Sequence, residues 1–170
     1  LGLFLITPSQ ADDIRDFQIE GMSVGDSLLK FANEEKIKSS ISKQKYSNDK
    51  FTIYKAEMFV EIKNYDHLTV TTKKNDKSYV ITNVSGSINY FELDDCLKKK
   101  TSIQNEIEKI INFNEKEEVK YPAKQDKTGN SMVHGVQYYL KPYPLNVQLF
   151  IYSLTKCKLK RQDVPISIDM

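Results

Sequence analysis

Leu93-Asp-Asp-Cys96-Leu-Lys-Lys-Lys-Thr-Ser-Ile103-Gln-Asn-Glu-Ile107-Glu-Lys-Ile110-Ile111 is the stretch from which the fold can be read. Leu93, Cys96, Leu97, Ile103, Ile107, Ile110 and Ile111 recur at helical intervals and fall on one stripe. That is the pattern of a helix with a single face against a core. Asp94 and Asp95 sit in its first turn, where carboxylates complement the helix dipole, and Lys98, Lys99 and Lys100 cover the outer side.

Upstream of this helix the period changes. Residues 51–54 and 58–62 are apolar-rich, and Leu68, Val70 and Thr72 alternate with Thr69 and Thr71. After a turn at Lys74-Asn-Asp-Lys77, residues 78–90 continue with Val80, Thr82, Val84, Ile88 and Tyr90 in phase. Two such runs about a short Asn-Asp loop predict a hairpin. Gly86 inside the second run predicts a bulge or a close approach of backbone. Further back, Asp16-Phe-Gln-Ile-Glu20 reads as a short strand and Gly21-Met-Ser23 as a turn. Ser23 with Asp26 three residues on is a capping-box-like helix start. Val24, Leu28, Phe31, Ile37 and Ile41 keep helical spacing, and Asn33 before Glu34-Glu35 can restart the helix, giving two short helices.

Downstream, residues 112–120 read as a charged loop, and 132–140 with 146–154 as paired strands joined by Lys141-Pro-Tyr-Pro-Leu145. Residues 155–161 alternate lysines with Cys157 and Leu159, as a solvated edge strand does. Pro165 predicts an edge-like terminal segment over 164–168. Helix followed by strands thus occurs twice. The expected fold class is α+β, an antiparallel β-sheet with two main helices packed on one face.

The chain has 170 residues, 39% hydrophobic and 28% charged, which suits one globular domain and excludes collagen-like and disulfide-dense classes. Lys plus Arg is 25 against 23 for Asp plus Glu, and only Arg15 and Arg161 are arginines. Nucleic-acid modules concentrate arginine on one face, so no nucleic-acid partner is expected. No run approaches the length of a membrane-spanning helix. Residues 1–6 are an apolar run, and Thr7-Pro-Ser-Gln-Ala11 places small residues where a signal peptidase cuts. Residues 1–11 are therefore expected to be the remainder of a signal peptide, with 12–170 a single periplasmic or secreted domain. In an oxidising compartment Cys96 and Cys157 are expected to pair. The bridge would close a loop on the order of 60 residues, for which loop-closure entropy gives roughly 4 kcal/mol. Two buried thiols are the alternative.

Few residues invite catalysis. Gly25-Asp-Ser-Leu28 resembles the first block of the GDSL hydrolases, which implies Ser27 as nucleophile. The rest of that pattern, an Asp-x-x-His near the C-terminus and a Gly-x-Asn-Asp block, is missing. A serine needs a positioned base, and the only histidines are His67, at a turn, and His134, within a strand. Ordinary N-terminal capping explains Ser27 equally well. Asp94 and Asp95 need no metal to account for them, and no cofactor or metal motif is present. Asp126, Lys127, Thr128, Gly129 and Asn130 form a loop whose amides could cradle an anion, though turn chemistry also accounts for them. Tyr138, Tyr139, Tyr143, Phe150 and Tyr152 are an aromatic group able to serve core or binding surface.

Residues 16–29, Asp94-Asp-Cys-Leu-Lys-Lys99 and Asp126-Lys-Thr-Gly-Asn-Ser131 together resemble small secreted proteins of Pelagibacter-type marine alphaproteobacteria. The resemblance implies export and no assigned activity. In that pattern the second cysteine tends to lie within the strand matching 146–152, whereas here it is Cys157. More loosely, a strand, then Gly-Met-Ser, then a short helix is similar to envelope proteins of the outer-membrane-assembly lipoprotein and β-lactamase-inhibitor-like type, which are binding modules. No lipobox cysteine accompanies it. The expected function is a non-catalytic binding or interaction module of the cell envelope, its partner an envelope protein or a small ligand; a small hydrolase using Ser27 is the alternative. Expression of the full-length gene with export is expected to yield a mature chain beginning at Asp12 by N-terminal sequencing; a product retaining residues 1–11 would refute this.

Overall fold

Alternation of apolar and polar residues becomes one antiparallel sheet whose seven strands run in the order β1-β2-β3-β9-β7-β6-β5. The computed structural model describes residues 17–44, 49–90, 92–110, 112–122, 127, 131–139, 146–153, 162–163 and 166–169, the last three of these segments by backbone alone. In chain order the elements are α1 (Glu34–Ser39), β1 (Phe51–Lys55), β2 (His67–Lys73), β3 (Ile81–Ser87), β4 (Asn89–Tyr90), α2 (Leu93–Ile110), β5 (Glu115–Pro122), β6 (Met132–Tyr139), β7 (Asn146–Ser153), β8 (Gln162–Asp163) and β9 (Ile166–Asp169). Short 3-10 turns occupy Leu28–Lys30 and Ala56–Met58, and β4 pairs with β8 in a separate two-stranded ribbon. The class is α+β: a helix and then a three-stranded meander, twice, with β9 joining β3 to β7.

The register sorts the sheet into rows. Tyr54, Val70, Val84, Ile168, Val147 and Tyr138 are successive partners across six strands, and Leu68, Gly86, Ile166, Leu149 and Val136 form the next apolar row but one. Leu68, Val70, Val84, Val136 and Tyr138 are wholly buried and join Ile37 of α1 and Cys96, Ile103 and Ile107 of α2 in one core cluster. Each such side chain contributes roughly 1.5–3 kcal/mol by leaving water. Of the helical stripe, Cys96, Ile103 and Ile107 thus lie in the core, whereas Leu97 is 37% exposed. Cys96, one residue earlier, is fully buried.

Local chemistry ends and starts the elements much as the sequence predicts around α1. Asn33 caps it, its side chain accepting from the Lys36 N–H at 2.9 Å, and Glu34 and Glu35 fill the first turn. Ser23 and Asp26 behave differently. Asp26 accepts from the Ser23 N–H at 3.2 Å, half of a capping box, but the chain turns instead of winding, and the 3-10 turn starts only after Ser27. Residues 17–22 form no long strand; Ile19 and Met22 exchange two 3.0 Å backbone bonds around Glu20 and Gly21, both at positive φ. That is the two-residue hairpin of primed turns.

Three further expectations are corrected. Residues 58–62 are not a strand: Met58 ends a 3-10 turn, and Phe59, Val60 and Ile62 lie against the core as a covering loop. The charged segment after α2 is strand β5, paired along its whole length with β6 and forming one edge of the sheet. Its alternating glutamates and lysines are the usual protection of an edge. Residues 166–169 are not an edge but the central strand, between β3 and β7; Pro165 directly precedes it, where a missing N–H leaves the ladder intact. Residues 155–161 lie outside the described residues.

Gly86 carries the close approach its sequence context predicts. A Cβ there would stand 2.5 Å from Cδ1 of Tyr65, so the tyrosine ring lies flat on the glycine backbone and supplies the missing bulk of that row. Burial pushes the Tyr65 phenol up to about 12, with Glu20 and Glu106 adding to the rise. Gly86→Ala is expected to destabilise the protein by roughly 1–3 kcal/mol in urea unfolding, and much less when Tyr65→Ala is made first.

Each helix is also tied to the sheet by a phenol. Tyr79, held at φ 52° by a loop in which Asp76 accepts from the Ser78 and Val80 N–H groups at 2.9 Å each, donates to Glu34 Oε1 at 2.9 Å. Fully buried Tyr138 donates to Glu108 Oε1 at 2.7 Å, and Gln104 and Lys116 reach the same oxygen at 3.1 and 2.9 Å. Lys116, with Tyr138 behind it, holds the Glu108 carboxyl below its ordinary value, while burial and Glu108 together push the Tyr138 phenol far up. A carboxylate lowered on folding adds stability that is complete above its unfolded value and is lost as pH falls through the folded one. Glu108→Gln is expected to cost about 1–3 kcal/mol near pH 7, and the difference from wild type should shrink as pH falls below the ordinary carboxylate range and Glu108 takes up its proton in the folded state.

Candidate functional site

The rows between the apolar ones are mainly polar, Ile53 being the aliphatic exception. Lys55, Thr69, Ser85, Ser167, Gln148, Gln137 and Glu117 are consecutive register partners, and so are Ile53, Thr71, Asn83, Asp169, Asn146, Tyr139 and Glu115. A period of two makes this the opposite face of the same strands. At its β1 end the face opens into a cavity of about 890 Å³. His67 and Thr69 of β2 and Ser85 and Ser87 of β3 form the floor.

Two segments wall it. Residues 40–42 lie along the outer edge of β1, with the Ser42 N–H donating to Ile53 O at 2.8 Å and the Lys55 N–H to Ser40 O at 2.9 Å. This carries Ile41, Lys43 and Gln44 to one side of the opening. The 3-10 turn after β1 brings Glu57 and Met58 to the other. Glu57 is committed within the protein: Oε2 accepts from the Leu68 N–H at 3.3 Å, and Oε1 lies 3.9 Å from Nδ1 of His67. Ile41 and Met58 are 50% and 49% exposed, two of the large apolar side chains that the described surface leaves in water.

Ser27 lies elsewhere. Its hydroxyl donates to Ser78 O at 2.6 Å and accepts from the Leu29 N–H at 3.2 Å, while the flanking Leu28 N–H donates to Tyr79 O at 3.0 Å. It caps the 3-10 turn and fastens that turn to the β2–β3 loop, and its proton is aimed at a carbonyl instead of an imidazole. A nucleophile of the GDSL kind requires the opposite arrangement. His134 is partly buried on β6, opposite Lys120 of β5. Burial, then Lys120 and Lys100, lower its proton affinity. The structure thus does not bring Ser27 together with a base.

Of the candidate loop, Lys127 is exposed, and Asp126, Thr128, Gly129 and Asn130 lie outside the described residues, as do Cys157 and residues 1–11. Asp94 and Asp95 are exposed in the first turn of α2. Among the described residues no three His, Cys, Asp or Glu side chains gather as a metal site, and no helix is long and apolar enough to cross a membrane. A second cleft, about 390 Å³, lies between Phe17, Glu20, Tyr65 and the Ile103–Ile107 side of α2.

Sequence reasoning singled out His67 but missed Lys43, Lys55, Glu57, Met58, Thr69, Ser85 and Ser87. The signal was the content of the polar phase: a solvated strand face is usually charged, and here Thr69, Thr71, Ser85 and Ser87 occupy it. Comparison with protein-family models, with curated proteins and with solved structures finds no match for this chain.

Proposed function

We propose that this protein is an exported, non-catalytic binding module, with both helices covering the apolar side of the sheet and the ligand seated on its polar side at the β1 end. The observation that carries this reading is the floor of the cavity. The hydroxyls of Thr69, Ser85 and Ser87 make no hydrogen bond among the described residues, although they lie at the bottom of a concavity instead of on a freely solvated loop. Donors left open in a concave site, beside exposed apolar groups, are what a ligand site presents before it is filled. Ile37 of α1 and Ile103 and Ile107 of α2, in one cluster with the apolar rows, support the placement of the helices. Export rests on the apolar run and small residues of 1–11, and the Cys96–Cys157 bridge belongs to the same reading, with Cys96 seated in the core-facing side of α2. The ligand class is an envelope protein or a small molecule of that compartment. The hydrolase alternative is disfavoured by the carbonyl partner of Ser27.

A photo-crosslinking residue placed at Ser85 is expected to give a discrete adduct in envelope extract, whereas the same group at Lys98, on the outer side of α2, should give none. Adducts at both positions, or at Lys98 alone, would defeat the assignment of the face. A serine-reactive probe is expected to leave the protein unlabelled; labelling abolished by Ser27→Ala would restore the hydrolase.

A further inference from the structure

We infer that the cavity at the β1 end of the sheet binds an extended acidic peptide segment that also carries apolar side chains. This rests on the reading of that face as a binding site and names its occupant. The first argument is charge. Lys43 and Lys55 both line the cavity, both are exposed, and neither has an ion-pair partner among the described residues. The single carboxylate of the lining is Glu57, and its oxygens already face the Leu68 N–H and His67. The described lining therefore carries two ammonium groups against one carboxylate, a net positive charge that draws an anionic partner and sets its orientation.

The second argument is hydrogen-bond polarity. Thr69, Ser85 and Ser87 on the floor and the lysine ammonium groups on the walls can all donate, and an ammonium has no acceptor. Hydroxyls can donate or accept, so the ammonium groups decide the preference: a partner rich in carboxylate and carbonyl oxygens satisfies them, whereas a cationic one repels them. The third argument is shape. Thr69 and Ser85 face each other across neighbouring strands, with Ser87 two residues along β3 and opposite His67. Successive positions on one face of a strand lie about 6.8 Å apart, the same interval at which an extended peptide repeats its own side chains. A simple ion would leave most of the 890 Å³ empty. The half-exposed Ile41 and Met58 on the rim supply an apolar contact for the partner's intervening side chains, and methionine adapts to varied partners. Among the described residues the lining contains no Phe, Tyr or Trp ring on which a sugar could stack.

Fluorescence anisotropy with labelled extended peptides tests this in the full-length mature protein. An alternating Glu-Leu peptide is expected to bind, its Gln-Leu counterpart at least about tenfold more weakly, and a Lys-Leu peptide not at all. Binding of the acidic peptide should weaken as ionic strength rises. The double substitution Lys43→Glu with Lys55→Glu should abolish acidic-peptide binding and admit the Lys-Leu peptide. Both positions are exposed, so unfolding curves should superimpose on wild type. Met58→Gln should weaken the acidic peptide without altering its preference over the neutral one, and inorganic phosphate should not displace it. Equal affinity for the acidic and neutral peptides, displacement by phosphate, retention of the acidic peptide by the double variant, or absence of peptide binding would each overturn the inference. If the Ser85 crosslink still forms while charge selectivity is absent, the binding face stands and only its acidic occupant is wrong; if that crosslink also fails, the face itself is wrong.

Discussion

Everything in this molecule depends on the register that keeps apolar rows and polar rows apart. Because side chains alternate along a strand, a one-residue slip of β2 would carry Leu68 and Val70 to the polar face and Thr69 to the core, and a slip of β3 would exchange Val84 and Ser85 in the same way. The cost of that exchange fixes the pairing of β2 with β3, and the same alternation continues through the partners of β9, β7 and β6. Core and cavity floor are thus the two sides of one decision. Gly86 shows how finely the rows are filled: the one gap in the apolar row at β3 is occupied from outside the sheet by the ring of Tyr65.

Helices are attached to this sheet by more than oily contact. In both halves a buried tyrosine of the strand region donates to a helix glutamate, which also pairs with a lysine: Tyr79 with Glu34 and Lys38, Tyr138 with Glu108 and Lys116. A phenol buried without an acceptor would cost more than the bond is worth in isolation, so each pair sets the position of its helix along the strands as well as adding stability. Phe113 packs edge-on against Tyr138 at 5.0 Å, holding that ring in the orientation its hydroxyl needs.

What could be read from the residues alone was what depends on near neighbours. The core-facing Cys96, Ile103 and Ile107 of α2, the cap at Asn33 and the crowding at Gly86 are local patterns, and the structure contains each of them. Segments whose identity is set by distant partners were misjudged. Residues 115–122 have the composition of a loop because an edge strand must repel further strands, and 166–169 follow a proline yet lie mid-sheet because the ladder begins one residue after it. The cavity was the least legible part. Lys43, Lys55 with Glu57, and Ser85 belong to three separate stretches, and nothing short of the pairing of β1, β2 and β3 brings them to one place. Ser27 stood out for the opposite reason, a string of neighbours with a meaning elsewhere and a capping role here.

The position of β9 has a consequence for how the protein is made. Each meander can form as soon as its own three strands exist, because its pairings are sequential. Apart from the short β4–β8 ribbon, the described strands of the two halves pair with one another only through β9, the last of the nine to be synthesised. Until it arrives, β3 and β7 are both open edges with unpaired amides and carbonyls, the kind of edge that recruits strands from other chains.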